Sequence, residues 1–172
     1  MRQLQRVVLG ALALLLALLF VPAPVQAQAR GPVRIGVLLP LTGTFAPNGQ
    51  EALDGMRLYL DEIGGQATGR KIELIVEDTE GKPDVGLTKA RKLVERDQVH
   101  VLAGIVSTAV ALAVQGYVRE KQIPLILNAD AGANLLTMPG PLLNPYVFRF
   151  SQTSAMPSQP GGDWAYKAGG RW

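Results

Sequence analysis

Three short runs carry the residue types that could hold a small polar molecule. They are Thr42-Gly43-Thr44-Phe45, Gly104-Ile105-Val106-Ser107-Thr108 and Asn128-Ala129-Asp130-Ala131-Gly132-Ala133. Each follows an apolar, strand-like segment. Hydroxyls and amides supply hydrogen bonds, and glycine or alanine lets a ligand approach the backbone. Ser107 and Thr108 open a helical pattern, where their hydroxyls and the following N–H groups can hold a carboxylate. Ordinary N-capping accounts for Ser107 equally well. The run at 128–133 reads either as a site of close ligand approach or as a turn into the next helix. Phe45 reads either as a ring that stacks on a ligand or as a cover for its own loop.

Catalytic machinery is not visible beside these runs. His100, the single histidine, stands at the entry to a strand whose far end leads to Ser107. The Gly104–Thr108 stretch does not fit the Gly-x-Ser-x-Gly nucleophile elbow. A Gly-rich dinucleotide fingerprint and a P-loop are both lacking. Glu77, Asp78, Glu80 and Asp84 look like a metal cluster at first glance. They end a strand and enter a helix, where acids suit solvent and the helix dipole, so no metal and no cofactor is expected.

The elements that must position these runs alternate. Val33–Leu39, Lys71–Glu77, Val99–Gly104, Ile123–Leu127 and Tyr146–Phe150 read as strands, the first a β-branched apolar run covered on both faces. Gly49–Ile63 reads as a helix, with Ala52, Leu53, Met56, Leu60 and Ile63 on one stripe and Gly64-Gly65 as its stop. Gly55 within it suggests close packing on the sheet. A second helix starts at Lys82-Pro83-Asp84 and runs to about Arg96, and a third runs to about Lys121. A helical turn is expected at 133–137. The pattern is α/β: a doubly wound parallel sheet of flavodoxin-like order 2-1-3-4-5, counting strands along the chain. In such sheets ligands bind beyond the carboxyl ends of the strands, which would put Thr42, Ser107 and Asp130 on one edge.

Arg2 and Arg6, the apolar run from Val7 to Val21, and the small residues ending at Ala27 have the layout of a secretory signal peptide. As a helix the run would reach only about 22 Å, short of a bilayer's roughly 30 Å core. The 172 residues carry 17 basic and 14 acidic side chains and no cysteine, so neither disulfides nor a lipidated cysteine is available. Two of the basic residues belong to the leader, and no basic stripe with interleaved aromatics remains to suggest nucleic acid. Expected boundaries are 1–27 for the signal peptide, 28–150 for a ligand-binding lobe and 151–172 for a crossover into a second lobe. The Gly-punctuated end lacks a closing element and looks cut off.

The ordered set Pro40-Leu-Thr-Gly43, Gly49, Gly55, Gly69 through Asp78, Lys92-Leu-Val, Val99, Gly104 and Ser107 resembles the leucine/isoleucine/valine-type periplasmic binding proteins. The resemblance covers about Val33 to Lys167. It implies one lobe of a two-lobed type I receptor that hands a solute to the membrane permease of an ABC importer, as a monomer in the periplasm. It also implies contacts near Asn48, at Ser107 and Thr108, and along Asp130, Ala131 and Gly132, besides the strand-end residues Thr42 and Phe45. Gly132 stands where amino-acid binders often present a threonine hydroxyl. An aromatic acid or an amide therefore becomes comparable to a branched-chain amino acid. The alternatives are an exported α/β hydrolase and the ligand-sensing domain of a receptor.

Overall fold

The computed structural model describes residues 31–129, 131, 143–151, 160–162, 164, 166 and 167. The expected leader, Asp130, Gly132 and the turn at 133–137 lie outside the described residues. Strand β1, Val33–Leu39, runs down the centre of the sheet. It pairs in parallel with β3, Arg70–Asp78, on one side and with β4, Val101–Gly104, on the other. Beyond β4 lie β5, Leu125–Leu127, and β6, Val147–Arg149, again parallel. The order β3-β1-β4-β5-β6 is the 2-1-3-4-5 order read from the sequence.

The sequence reading missed one strand. Gln66–Ala67 forms β2, a short antiparallel partner to β3 at the sheet edge. Thr68 and Gly69 connect the two with φ of 50° and 75°. A two-residue turn with both φ positive matches the twist of a hairpin, but threonine is an unusual residue there, so the signal was weak.

Alternation along β1 divides the core into two. Leu38 faces one side with Leu93, Leu102, Val110, Val114, Val118 and Leu125. Val37 and Leu39 face the other with Leu53 and Val106, and with the partly buried Ile35, Leu74 and Val76. Side chains of a strand point alternately to opposite faces, so a run of apolar residues demands cover on both. Helices α2, Pro83–Arg91, and α3, Thr108–Lys121, supply it on the first face; α1, Ala46–Glu62, supplies it on the second.

Helix α1 starts a turn earlier than expected, with Pro47 in its first turn. Gly64 and Gly65 end it at φ of 68° and 67°. The tight glycine is Gly49 and not Gly55. A Cβ at Gly49 would lie 1.9 Å from the Pro40 carbonyl oxygen, whereas nothing approaches within 4 Å of one at Gly55. Helix α2 does not run to Arg96 in one piece. It passes into a π-helical turn over Lys92–Arg96, in which the Asp97 N–H donates to the Lys92 carbonyl at 3.1 Å.

Candidate functional site

The register brings the strand ends together: Gly104, Leu127 and Arg149 lie in one row with Leu38, and Leu39 and Asp78 pair one residue further on. The loops that follow them therefore share one edge of the sheet. Thr42, Phe45, Ser107, Asn128 and Ala129 are brought together there, as the alternation implied for Thr42 and Ser107. His100 lies at the opposite end of β4, where its Nδ1 accepts the Arg34 N–H at 3.0 Å.

The turn after β4 lifts the chain off the sheet. Gly104 and Ile105 have φ of 106° and 66°. Such a conformation costs about 1–3 kcal/mol at a non-glycine residue and persists only where the surroundings enforce it. Here the Ile105 N–H donates to the Leu38 carbonyl at 2.7 Å, and its side chain is buried in the core. The Gly104 N–H donates to Asn128 Oδ1 at 2.8 Å, which ties the β5 loop to the end of β4. A Cβ on Gly104 would stand 2.7 Å from the Leu38 carbonyl oxygen, so the position requires glycine.

Ser107 follows in extended backbone and caps α3, yet its hydroxyl makes no capping hydrogen bond. The first intrahelical bond across this turn runs from the Ala111 N–H to the Ser107 carbonyl. The N–H groups of Thr108, Ala109 and Val110 precede it and have no intrahelical acceptor, as at any helix start. Half-buried Ser107 and Thr108 thus present hydroxyls and N–H donors at the positive end of a helix, an arrangement suited to a carboxylate.

Thr42 has a different setting. Its hydroxyl donates to Asp78 Oδ2 at 2.6 Å. A hydroxyl has one proton, so toward a solute Thr42 retains only acceptor capacity. Phe45 is 44% exposed and its ring lies against the backbone of Gly81, since a Cβ there would sit 3.2 Å from the ring. It covers that turn while keeping part of its surface free. Asn48 is exposed in the first turn of α1, and Ala131 is fully buried among the core residues of the α2/α3 face, its methyl turned inward.

The acids expected to face solvent are more engaged than their pattern suggested. Asp78 also accepts the Leu41 and Glu80 N–H groups, each at 2.8 Å. Partial burial pushes its carboxyl up, but the bonds from Thr42, Glu80 and Leu41 outweigh that and hold it below its ordinary value. Glu77 lies on the α2 side, where it takes Lys89 at 2.7 Å and a short contact from Lys92. Its carboxyl too is held low, burial being offset by the two lysines. Glu80 pairs with Lys82 at 2.7 Å. Asp78 and Asn128 are the residues that sequence reasoning undervalued. Their only local signal was a polar side chain at the end of a strand.

The model of the family described as periplasmic binding protein matches residues 32–172. The chain belongs to the periplasmic binding protein family. Its relatives include a Leu/Ile/Val-binding protein homologue of Brucella abortus, 29% identical over 129 residues, and a Leu/Ile/Val-binding protein of Rhizobium johnstonii, 32% identical over 114 residues. These matches cover 74% and 65% of this chain but 32% and 30% of the relatives. The chain thus spans about a third of the length of the curated relatives it matches. Among solved structures it is similar to an ABC transporter substrate-binding protein from Sphaerobacter thermophilus, with 42% identity and a TM-score of 0.73 over 79% of this chain and 36% of that one. A Rhodopseudomonas palustris solute binding protein in complex with benzoate shares 35% identity with a TM-score of 0.74, over 81% of this chain and 38% of that one. Another from that species, in complex with 3,4-dihydroxybenzoic acid, shares 33% identity with a TM-score of 0.74, over 80% of this chain and 37% of that one. The sheet described above is one lobe of the two-lobed type I architecture of this family.

Proposed function

We propose that this periplasmic binding protein is the extracytoplasmic solute receptor of an ABC importer and captures a small carboxylate-bearing solute. The observation that carries the reading is the start of α3. The Ser107 hydroxyl and the first N–H groups of the helix stand at the carboxyl edge of the sheet without capping partners. A solute carboxylate is the group such a terminus attracts most strongly. An aromatic acid and a branched-chain amino acid are the two leading candidates. The relatives in complex with benzoate and 3,4-dihydroxybenzoic acid share 35% and 33% identity, and a Leu/Ile/Val-binding protein of Rhizobium johnstonii shares 32%.

In this reading Ser107 and Thr108 hold the carboxylate, Thr42, Phe45 and Asn48 border the solute, and backbone at 130–132 approaches it. The leader directs the protein to the periplasm, where it acts as a monomer and delivers the solute to a membrane permease. A second lobe closes on the first, and the solute is buried between them.

Titration calorimetry of the leader-free protein carrying both lobes tests the reading. Benzoate, 3,4-dihydroxybenzoate and leucine should include a saturable ligand, and replacing that ligand's carboxylate by a methyl ester should abolish binding. Equal affinity for the ester, or turnover of a test ester, would overturn it.

A further inference from the structure

We infer that Asp78 is a positioning residue for the solute-facing rim: it clamps the loop after β1 to the turn after β3. The inference rests on the solute-binding reading above.

Both oxygens of Asp78 are committed. Oδ1 accepts the N–H of Leu41 and the N–H of Glu80, and Oδ2 accepts the Thr42 hydroxyl. One carboxylate therefore holds two donors from the loop after β1 and one from the turn after β3. An ionised carboxylate accepts in several directions at once, and bonds to it are stronger than neutral ones.

Contacts around it point the same way. The Thr79 N–H donates to the Leu39 carbonyl at 2.9 Å, which carries the ladder one step beyond the strands. Phe45 lies on Gly81, and a Cβ at Gly43 would come within 3.5 Å of the Glu80 carbonyl oxygen. Glu80, Gly81 and Gly43 have φ of 52°, 69° and 78°, so both segments are folded into tight left-handed bends that bring them face to face. To these contacts Asp78 adds the side-chain bridge between the two loops. Without it the Leu41 and Glu80 N–H groups lose their acceptor, and the backbone that carries Thr42 and Phe45 is free to shift. A displacement of about 1 Å is enough to weaken a preorganised site severely.

The test compares Asp78→Ala, Asp78→Asn and Thr42→Val. Amide hydrogen exchange of the free protein reads the clamp, and the Kd for benzoate, 3,4-dihydroxybenzoate and leucine reads the rim. In Asp78→Ala, exchange at 41–45 and 79–81 should accelerate by about tenfold or more, with the rates of β4 and α3 unchanged. The Kd should rise by about tenfold, the effect of losing one good hydrogen bond. Asp78→Asn keeps an acceptor oxygen and should recover part of both effects. Should Asp78→Ala fail to fold, Thr42→Val removes a single bond, and it should loosen 41–45 alone and still raise Kd. Unchanged exchange in these variants, or faster exchange with unaltered Kd, overturns the inference. A wild-type protein carrying both lobes that binds none of the three solutes overturns the solute reading instead, and the exchange rates then decide the clamp by themselves.

Discussion

The carboxylate of Asp78 accepts the hydroxyl of Thr42 at 2.6 Å across a sequence separation of 36 residues. The pair joins neighbouring strand ends, because Leu39 is in register with Asp78. It also sets a dependence on pH. Hydrogen bonds hold the Asp78 carboxyl below its ordinary value of 3.8, and lysines hold Glu77 below 4.5. A carboxyl whose pKa is depressed by folding contributes stability above its unfolded pKa and loses it as pH falls through the folded one. The thermal midpoint should therefore fall steeply below about pH 4, and less steeply in Asp78→Asn, which has no such proton to take up. Melting curves between neutral and acid pH check this. Parallel profiles for the two proteins would contradict it.

Two glycines of α1 should respond in opposite directions. Gly49→Ala forces a methyl against the Pro40 carbonyl, 1.9 Å away, and neither backbone segment has room to yield. Destabilisation of about 3 kcal/mol or more is expected, at or beyond the upper end for overpacking. Gly55 is exposed with nothing within 4 Å, so Gly55→Ala should stabilise the helix by about 0.5–1 kcal/mol. Urea titrations of both variants measure this, and a loss of stability in Gly55→Ala would contradict the helix geometry.

Ser107→Ala separates capping from binding. The Ser107 side chain makes no capping hydrogen bond, so its removal should change stability by less than about 0.5 kcal/mol. Loss of a hydrogen bond to a charged carboxylate should weaken solute binding by about 1.5–3 kcal/mol, tenfold or more. Thr108→Ala should act in the same direction. A large drop in thermal midpoint with unaltered affinity would return Ser107 to a purely structural role.

The basic, apolar and small-residue order of the first 27 residues predicts cleavage on export. Sequencing of the secreted product should read from Gln28 or Arg30. Recovery of Met1 in the membrane fraction would show an uncleaved anchor.

The alternation of strand and helix, the central place of β1 and the shared edge of Thr42 and Ser107 were legible in the sequence. Each follows from local periodicity, since side chains repeat every two residues in a strand and about every 3.6 in a helix. Connection rules then limit the order of parallel strands. Val37, Leu38 and Leu39 announced two covered faces because no alternating polar residue interrupts them. The resemblance to periplasmic receptors rested on motifs that follow the same order. Tertiary structure alone decided the rest. Which glycine meets a backbone depends on how α1 crosses the end of β1, and Gly49 and Gly55 look alike in a helical pattern. The commitment of Thr42 to Asp78 and of Asn128 to Gly104 depends on register between strands far apart in the chain. A side chain's partner across a sheet is set by pairing and not by its neighbours in sequence, so a strand-end carboxylate reads as solvated until the adjacent loop is in place.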